Sequence, residues 1–485
     1  MMANNDFQEK RWLALVLLSA AQFVVVLDAS IVNVALPSIG TALDFSQENL
    51  PWVVNAYVLT FGGFLLLGGR TADLLGRRRV FMAGLVLVAV ASLAAGFAAT
   101  EGQLIAARAA QGLGAAIISP AALSIVTTIF KDGAERNKAL GVWGAVAGSG
   151  GAAGVLLGGI LTDGLGWEWV LWVNVPVSLI ALALTPRLIA ESRAVTETRA
   201  FDVAGAISVT AALSILVYAV VDAESSGWGS SKTIGLLALS VVLLAAFVAI
   251  ELRARKPLVP FSIFRIRTLT GANVVGLLVG GSLFSMFFFI SLYMQQVLGY
   301  SAIHAGLSYL PLALTIMASA GIASQLVTKL GYKPVLAIGM VFIFAGLVWF
   351  SRVSVGGGFT TDILGPSLLA AAGLGFAFVT TTIAAVSGVP EEESGLASGL
   401  INTSQQIGGA LGLAVLSSVA TSHTSNVLAG GSGLKDALTE GFQVAFLGGA
   451  AIAALGFVLT LVLIKGSDSR AHVEIGRAEA EGAEA

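Results

Sequence analysis

The sequence contains no cysteine, which excludes disulfide bonds, thiol nucleophiles and thiolate metal sites. Its three histidines, His304, His423 and His472, are scattered and lack the close spacing of metal ligands. Charged residues make up only 11% of the chain, less than half of the roughly 25% usual in soluble proteins. The chain also lacks a basic stripe interleaved with aromatic residues. We therefore expect no metal, no cofactor and no nucleic-acid partner.

Apolar residues make up 56% of the 485 residues, and the mean hydropathy is +0.90. Apolar runs of about 20 residues recur along the chain, the length that a helix needs to cross a hydrocarbon core ~30 Å thick. Such continuous runs exclude the alternating pattern of a transmembrane β-barrel. The first run, 13–36, is too long for the core of a signal peptide. The sequence predicts an all-α polytopic membrane protein.

Counting the apolar runs between polar breaks predicts 14 transmembrane helices. When the N-terminus is placed in the cytoplasm, 22 of the 26 lysines and arginines fall on the cytoplasmic side. This bias is typical of membrane proteins, whose cytoplasmic loops are enriched in basic residues. The cytoplasmic loop around 391–393 is the exception, because it contains no basic residue. We predict a multi-pass protein of the cell (inner) membrane with both termini cytoplasmic.

Two short segments recur along the chain with nearly the same offset. Residues 75–80 resemble residues 330–335, and residues 150–154 resemble residues 408–412. Parallel repeats of this kind are typical of transporters built from two related halves. The glutamate-, alanine- and glycine-rich end of the chain is too polar to pack. The predicted organisation is a cytoplasmic N-terminus (1–11), a six-helix bundle (12–190), two additional helices (201–252), a second six-helix bundle (268–465) and a disordered cytoplasmic tail (466–485).

Two ionisable residues, Asp28 and Arg108, lie inside apolar runs. A charge at bilayer depth is costly, so each is a functional-site hypothesis. Burial of a carboxyl group disfavours its charged form, which would allow Asp28 to bind and release protons. Arg108 stays protonated and would instead tune a carboxylate or order water. The alternative for Asp28 is a structural ion pair or an acid that snorkels from near the helix end, and for Arg108 it is a static clamp between helices. The sequence does not decide whether the two residues pair.

The loop between the second and third runs places an acid among several bases. An acid near a helix N-terminus is stabilised by the helix dipole and can bridge to arginines on neighbouring helices. We interpret this loop as a gating latch, with simple topology anchoring as the alternative. The residues assigned to it are Gly69, Asp73, Gly76, Arg77 and Arg78.

The fifth run contains glycines spaced four residues apart, which let helices approach each other closely. They are Gly150, Gly154 and Gly158, followed by Gly159. This spacing indicates a close helix packing that is compatible with a sliding interface.

Polar and aromatic residues within the runs are candidates for a substrate pocket, because promiscuous apolar sites combine such side chains. Lipid-facing residues and interfacial belts use the same amino acids, which is the alternative for many of them. The candidates are Asn33, Trp52, Asn55, Tyr57, Gln111, Phe288, Tyr293, Asn402, Gln405 and Gln406.

Taken together, these motifs resemble the major facilitator superfamily, in particular its fourteen-helix drug/proton antiporter branch. The loop at 69–78 resembles the signature between helices two and three, and 27–37 resembles the first-helix motif of this branch. Arg108-x-x-Gln111-Gly112 resembles a fourth-helix motif associated with proton transfer, and 150–159 resembles the antiporter motif. Val155 stands where that motif usually has proline, which predicts a less kinked fifth helix.

The resemblance implies the major facilitator fold, with two six-helix bundles plus two central helices, and alternating access driven by a proton gradient. It implies a monomeric antiporter that exports lipophilic, cationic or neutral drugs without a cofactor. A dedicated exporter of one endogenous secondary metabolite and a proton-coupled importer are the alternatives. An enzyme is not expected, because the sequence shows no Walker-type phosphate loop and no nucleophile–base pair.

Overall fold

The computed structural model describes residues 10–45, 49–50, 52–131, 133–193, 202–254, 257–470 and 473–474, which form helices and connecting turns without strands. Over these residues there are fourteen long helices. They are α1 Arg11–Ala42, α2 Trp52–Leu75, α3 Arg77–Gly96, α4 Glu101–Ile129, α5 Ala134–Gly164, α6 Trp169–Leu188, α7 Val203–Ser226, α8 Ser231–Glu251, α9 Arg267–Leu292, α10 Leu310–Leu330, α11 Tyr332–Phe350, α12 Leu364–Val386, α13 Ser394–Ala429 and α14 Leu434–Leu463. Shorter helical turns are Phe261–Arg265, Tyr293–Val297, Ala302–Ser308, Phe359–Ile363 and Glu391–Glu393.

Within the described ranges, 12 helices are long and apolar enough to cross a membrane, and α5 makes 13 if its two bent parts form one span. The helix that falls outside this set is α13, which is rich in serine, threonine and amide side chains. The all-α polytopic prediction is therefore confirmed, whereas the count of 14 spans is not. The effect of Val155 on the straightness of α5 remains a prediction.

Contacts divide the chain into two units, the first of which contains 1–131, 153–266 and 388–403. In it α4 packs on both α2 and α3, and α7 packs on α2. The crossing of α2 and α4 is close because Gly112 lacks a side chain, and a Cβ atom there would meet Thr60 and the carbonyl of Tyr57. Thr60 Oγ1 donates to the carbonyl of Ala109 at 2.8 Å in the same crossing. This packing places α2, α3 and α4 around the buried charges described below.

The second unit contains 132–152, 267–387 and 404–485. In it α12 packs on α10 and α11, and α14 packs on α9 and α11. Gly331 directly precedes α11 and adopts φ +81°, and Gly76 directly precedes α3 and adopts φ +111°. These two glycines are equivalent in the repeat found in the sequence, and each allows a sharp break between two helices.

The predicted disordered tail begins at 466, but residues 466–470 are helical. Ser469 is buried, and its hydroxyl accepts a hydrogen bond from the backbone N–H of Lys333 at 3.2 Å. The prediction is therefore wrong for this first turn, because a side-chain contact with the start of α11 orders it. The rest of the predicted tail (471–472 and 475–485) and most of the predicted N-terminal segment (1–9) lie outside the described residues. The other predicted domain boundaries remain predictions.

Candidate functional site

Asp28 on α1 and Arg108 on α4 form a buried ion pair in the first unit. Asp28 is 2% exposed and Arg108 is completely buried. Arg108 Nη1 donates to Asp28 Oδ2 at 2.7 Å, and Arg108 Nη2 lies 3.4 Å from the carbonyl oxygen of Asp28. Arg108 Nε donates to the carbonyl of Val53 at 2.9 Å, which fixes the guanidinium against α2. The structure thus brings together two residues whose pairing the sequence left open.

Three neutral polar side chains complete a hydrogen-bonded network around this pair. Gln111 Oε1 accepts from Arg108 Nη1 at 2.9 Å, and Gln111 Nε2 donates to Ser92 Oγ at 2.7 Å and lies 3.3 Å from Asp28 Oδ1. Asn174 Nδ2 donates to Asp28 Oδ1 at 2.5 Å and lies 3.5 Å from Ser92 Oγ. The network therefore joins α1, α3, α4 and α6, and each of its five side chains is buried.

The aromatic ring of Tyr57 covers one face of the Arg108 guanidinium, whose carbon lies 4.5 Å from the ring centroid. A cation in this position is attracted to the negative face of the ring. The hydroxyl of Tyr57 donates to the carbonyl of Val25 at 2.9 Å, so the ring is held against α1. Buried apolar side chains surround the site and strengthen its electrostatic interactions; they include Leu27, Ile31, Val32, Val53, Leu104, Ala107, Val170 and Leu171.

The glycines of α5 bring this helix against the turn of α1 that carries Asp28. A Cβ atom at Gly154 would meet Ser30 Oγ and lie 3.0 Å from the carbonyl oxygen of Leu27. A Cβ atom at Gly158 would lie 2.7 Å from the carbonyl oxygen of Ile31. A larger residue would push α5 away from α1, so these glycines set the position of the Asp28 turn. Gly159 and Gly150 are also buried, the latter in the second unit.

Asp73 at the end of α2 forms a second buried ion pair with Arg77, and both side chains are at most 1% exposed. Arg77 Nη2 donates to Asp73 Oδ1 at 2.9 Å. The carboxylate also accepts backbone N–H groups from the first turn of α13, Gly395 at 3.1 Å and Leu396 at 3.0 Å. These N–H groups have no partner within their own helix, and the helix dipole favours an anion there. Gly69 lets the two helices approach, because a Cβ atom there would meet the carbonyl of Gly395.

The first turn of α3 is held by the segment that follows α6. Glu191 accepts the backbone N–H groups of Arg78 and Arg79 at 3.1 and 3.2 Å, and their guanidinium Nε atoms lie 3.7 and 3.6 Å from the same carboxylate. Gly76 adopts φ +111° directly beside Glu191. Glu191 thus supplies the cap that α3 lacks in its own sequence, and the sequence analysis did not find it.

Residues 18–413 match the model of the Major Facilitator Superfamily. The chain belongs to this superfamily. It is 38% identical over 468 residues to the puromycin resistance protein pur8 of Streptomyces alboniger, covering 95% of this chain and 92% of that protein. It is 40% identical over 453 residues to the cephamycin export protein CmcT of Amycolatopsis lactamdurans, covering 93% and 92%.

Solved structures support the fold of this superfamily member. The human organic anion transporter MFSD10 (TETRAN) superposes with a TM-score of 0.63 at 16% identity, covering 94% of this chain and 99% of that one. The proton:xylose symporter XylE superposes with a TM-score of 0.64 at 13% identity, covering 94% and 96%. The protein is thus a multi-pass membrane protein of the major facilitator fold, and its family points to transport rather than to enzymatic catalysis.

Five of the predicted pocket residues of this superfamily member lie on α1, α2 and α4. Tyr57 and Gln111 are part of the buried ion-pair network, with Gln111 completely buried. Asn33 is exposed and donates to carbonyls of its own helix. Trp52 and Asn55 are half-buried. Asn33, Trp52 and Asn55 therefore keep accessible surface, whereas Tyr57 and Gln111 are buried and contact Arg108.

The predicted pocket residues of α13 fall in both contact units. Asn402 is half-buried in the first unit, where its Oδ1 accepts from Ser119 Oγ of α4 at 3.2 Å. Gln405 and Gln406 lie in the second unit. Gln405 is 6% exposed, and its buried Nε2 finds no hydrogen-bond partner within the described part of the chain.

The two remaining predicted pocket residues lie at the end of α9 and in the turn that follows it. Phe288 is 37% exposed. Tyr293 is buried, and its hydroxyl lies 2.7 Å from the carbonyl oxygen of Ser354 and 3.0 Å from Asp362 Oδ2. Tyr293 therefore anchors the loop after α11 in this structure.

The sequence analysis missed two members of the Asp28 network, Asn174 and Ser92. Asn174 stands at the start of an apolar run, directly before Val175 and Pro176, so a polar residue in that position was an available signal. Ser92 lies in a run of small residues within α3 and carries no comparable signal.

Proposed function

We propose that this protein exports small lipophilic molecules, cationic or neutral, across the cell membrane in exchange for protons by alternating access. The observation that carries the proposal is the extent of its similarity to export and resistance proteins. The alignments with the puromycin resistance protein and the cephamycin export protein each cover more than nine tenths of both chains. The chain is also 31% identical over 429 residues to the multidrug transporter protein MdtP of Bacillus subtilis.

Proton coupling is supported by the chemistry of the Asp28–Arg108 pair. Protonation of Asp28 would remove the negative charge that compensates the buried guanidinium of Arg108. Removal of one partner from a buried ion pair costs about 3–5 kcal/mol. A membrane potential supplies ~2.3 kcal/mol per charge per 100 mV, which is of the same order. Binding of one proton would thus be strong enough to shift the conformational equilibrium of a transporter.

The proposal requires no cofactor, because the proton gradient supplies the energy. We place the protein in the inner membrane as a monomer with both termini in the cytoplasm, the orientation favoured by its basic residues. The predicted pocket residues that keep accessible surface are the candidates for substrate contact. In the first unit they are Asn33, Trp52, Asn55 and Asn402, and in the second unit they are Phe288 and Gln406. The buried Tyr293 and Gln405 are not among them.

The test is transport by purified protein in proteoliposomes with an imposed pH gradient, screened with dyes and quaternary ammonium compounds. We expect Asp28→Asn to fold normally and to lose gradient-driven transport, because an amide cannot bind and release a proton. Asp163→Asn, at an exposed acid near the end of α5, is the matched control and should transport like the wild type. Wild-type rates in Asp28→Asn would remove Asp28 from the mechanism. Absence of gradient-driven transport in the wild type for every compound would contradict the proposed antiport.

A second candidate function is the export of one endogenous secondary metabolite. It is favoured by two relatives named for single compounds, the cephamycin export protein and the tetracenomycin C resistance and export protein of Streptomyces glaucescens. A strain that lacks the transporter distinguishes the two functions. Sensitivity to many unrelated toxic compounds would support multidrug export, whereas accumulation of one compound inside the cell would support the dedicated exporter.

A further inference from the structure

Asn174 is completely buried beside the carboxylate to which we assign proton coupling. Its Nδ2 lies 2.5 Å from Asp28 Oδ1, closer than Gln111 Nε2, which lies 3.3 Å from the same oxygen. Arg108 binds the other carboxylate oxygen at 2.7 Å. Asn174 is therefore the main neutral donor to the oxygen of Asp28 that does not face the guanidinium.

The start of α6 holds Asn174 in this position. The helix opens with a short turn, Trp169–Trp172, and continues from Asn174 after a break at Val173. The indole of Trp172 donates to the carbonyl of Leu93 on α3 at 3.3 Å and packs where a side chain of Gly96 would lie. The neighbouring Trp172 thus holds this part of α6 against α3, and rotation of its side chain lets the amide of Asn174 change its contacts.

The other half of the same amide is unpaired among the residues that the structure describes. Asn174 Oδ1 is buried, and none of these residues donates a hydrogen bond to it. An unpaired buried acceptor costs free energy, and most such groups in folded proteins are paired. An asparagine presents two donors on one side and an acceptor on the other, so rotation of the amide exchanges a donor for an acceptor. Protonation of Asp28 would create an O–H donor that needs an acceptor at this place.

We infer that Asn174 is a positioning residue that serves both protonation states of Asp28. Its Nδ2 donates to the ionised carboxylate, and after rotation of the amide its Oδ1 accepts from the O–H of the protonated acid. The inference rests on the proposed proton coupling and extends it to a residue of α6. A hydrogen bond to an ionised group is stronger than one between neutral groups. Loss of Asn174 therefore destabilises the ionised form of Asp28 more than its protonated form, and Asp28 should keep its proton to higher pH than in the wild type.

Few titratable groups surround Asp28, so the effect of Asn174 on its protonation can be separated from the titration of neighbouring side chains. Among the described side chains that contact the carboxyl group or its partners, Arg108 on α4 is the charged one and Tyr57 on α2 is the other titratable one. Tyr57 donates its hydroxyl to a backbone carbonyl and not to Asp28. The remaining elements contribute neutral Ser92 from α3, neutral Gln111 from α4 and backbone from α5.

The experiment is a pH titration of the Asp28 carboxyl group by infrared difference spectroscopy on the full-length protein in lipid. The band is assigned by its loss in Asp28→Asn. We expect Asn174→Leu, which has similar size but no hydrogen-bonding group, to move the pH midpoint of this band to higher pH. Asn174→Asp keeps the shape and should also raise the midpoint, because two adjacent carboxylates resist ionising together. Ser92→Ala is the control and should shift it less, since Asn174 retains its contact with Asp28.

A midpoint in Asn174→Leu equal to that of the wild type would overturn the inference. If that variant does not fold, an unchanged midpoint in Asn174→Asp overturns it equally. Transport gives an independent measure, because the inference predicts a displaced pH profile with little change in substrate KM. A merely structural role would lower the amount of active protein equally at every pH, which would also overturn the inference. Failure of the proposed proton coupling would be seen in the wild type, where the Asp28 band would not change with pH. That result would overturn the proposed function and this inference together.

Discussion

The contact of Asp73 with the first turn of α13 gives a prediction whose size follows from the structure. Asp73→Asn preserves the shape of the side chain and one acceptor oxygen but removes the negative charge. Arg77 then loses its buried counter-ion, and the N–H groups of Gly395 and Leu396 lose an ionised acceptor. We expect the first turn of α13 to separate from the end of α2 more often than in the wild type.

The expected size comes from the cost of breaking a buried ion pair, about 3–5 kcal/mol. The lower end applies here, because the guanidinium of Arg77 keeps a hydrogen bond to Thr128 Oγ1 at 2.9 Å. The new amide also retains one acceptor for a backbone N–H group of α13. A loss of about 3 kcal/mol corresponds to roughly a hundredfold change in the opening equilibrium.

Hydrogen exchange measured by mass spectrometry reports this equilibrium directly, because exchange of a protected amide requires local opening. Peptides that cover 394–400 should exchange roughly a hundredfold faster in Asp73→Asn. Peptides from α14 should exchange as in the wild type. Asp163→Asn makes the same chemical change at an exposed position and should leave both regions unchanged.

Unchanged protection at 394–400 in a folded Asp73→Asn variant would refute the argument, because the carboxylate would then not hold α13. Faster exchange in every helix would also contradict it, since that pattern reports global destabilisation and not the release of one contact. The geometry predicts faster exchange at the start of α13 and at the adjoining ends of α2 and α3, which carry Asp73 and Arg77, with the remaining helices unchanged.

Much of the fold could be predicted from the sequence, because a membrane-spanning helix needs a long apolar run and little else. The count of spans could not, and α13 shows why. Its first half carries Asn402, Gln405 and Gln406, whose cost in lipid depends on whether neighbouring helices cover them. A hydropathy value reflects the polar atoms of a side chain but not whether neighbouring helices bury them. The repeat was more informative, since Gly76 and Gly331 both adopt positive φ at the start of a helix.

The site was only partly predictable, for a similar reason. Asp28 and Arg108 stand out because charges are rare inside apolar runs, but they are 80 residues apart, and only helix packing decides that they meet. Neutral polar side chains give a weaker signal. Gln111 was assigned to a substrate pocket although the structure places it in the ion-pair network, and Asn174 was not assigned at all. Their environment is set by contacts between helices, which the order of residues along one helix does not contain.

Two further predictions concern α5. Asn137→Ala should accelerate exchange at the start of α5 roughly fivefold, because it removes a partly buried hydrogen bond of 2.9 Å to Thr328 Oγ1, worth about 1 kcal/mol. Unchanged exchange would show that this hydrogen bond does not hold the start of α5. Gly154→Ala should lower the apparent melting temperature, since the new Cβ would lie 3.0 Å from the backbone carbonyl oxygen of Leu27, which cannot rotate away as a side chain can. Such overpacking costs about 1–3 kcal/mol, more than the gain of up to about 1 kcal/mol that alanine brings to a helix. Gly102→Ala is the control, because a Cβ atom at Gly102 meets open space and this variant has only the gain in helix propensity. Equal stability of the two variants would show that α5 does not pack closely on the turn of α1 that carries Asp28.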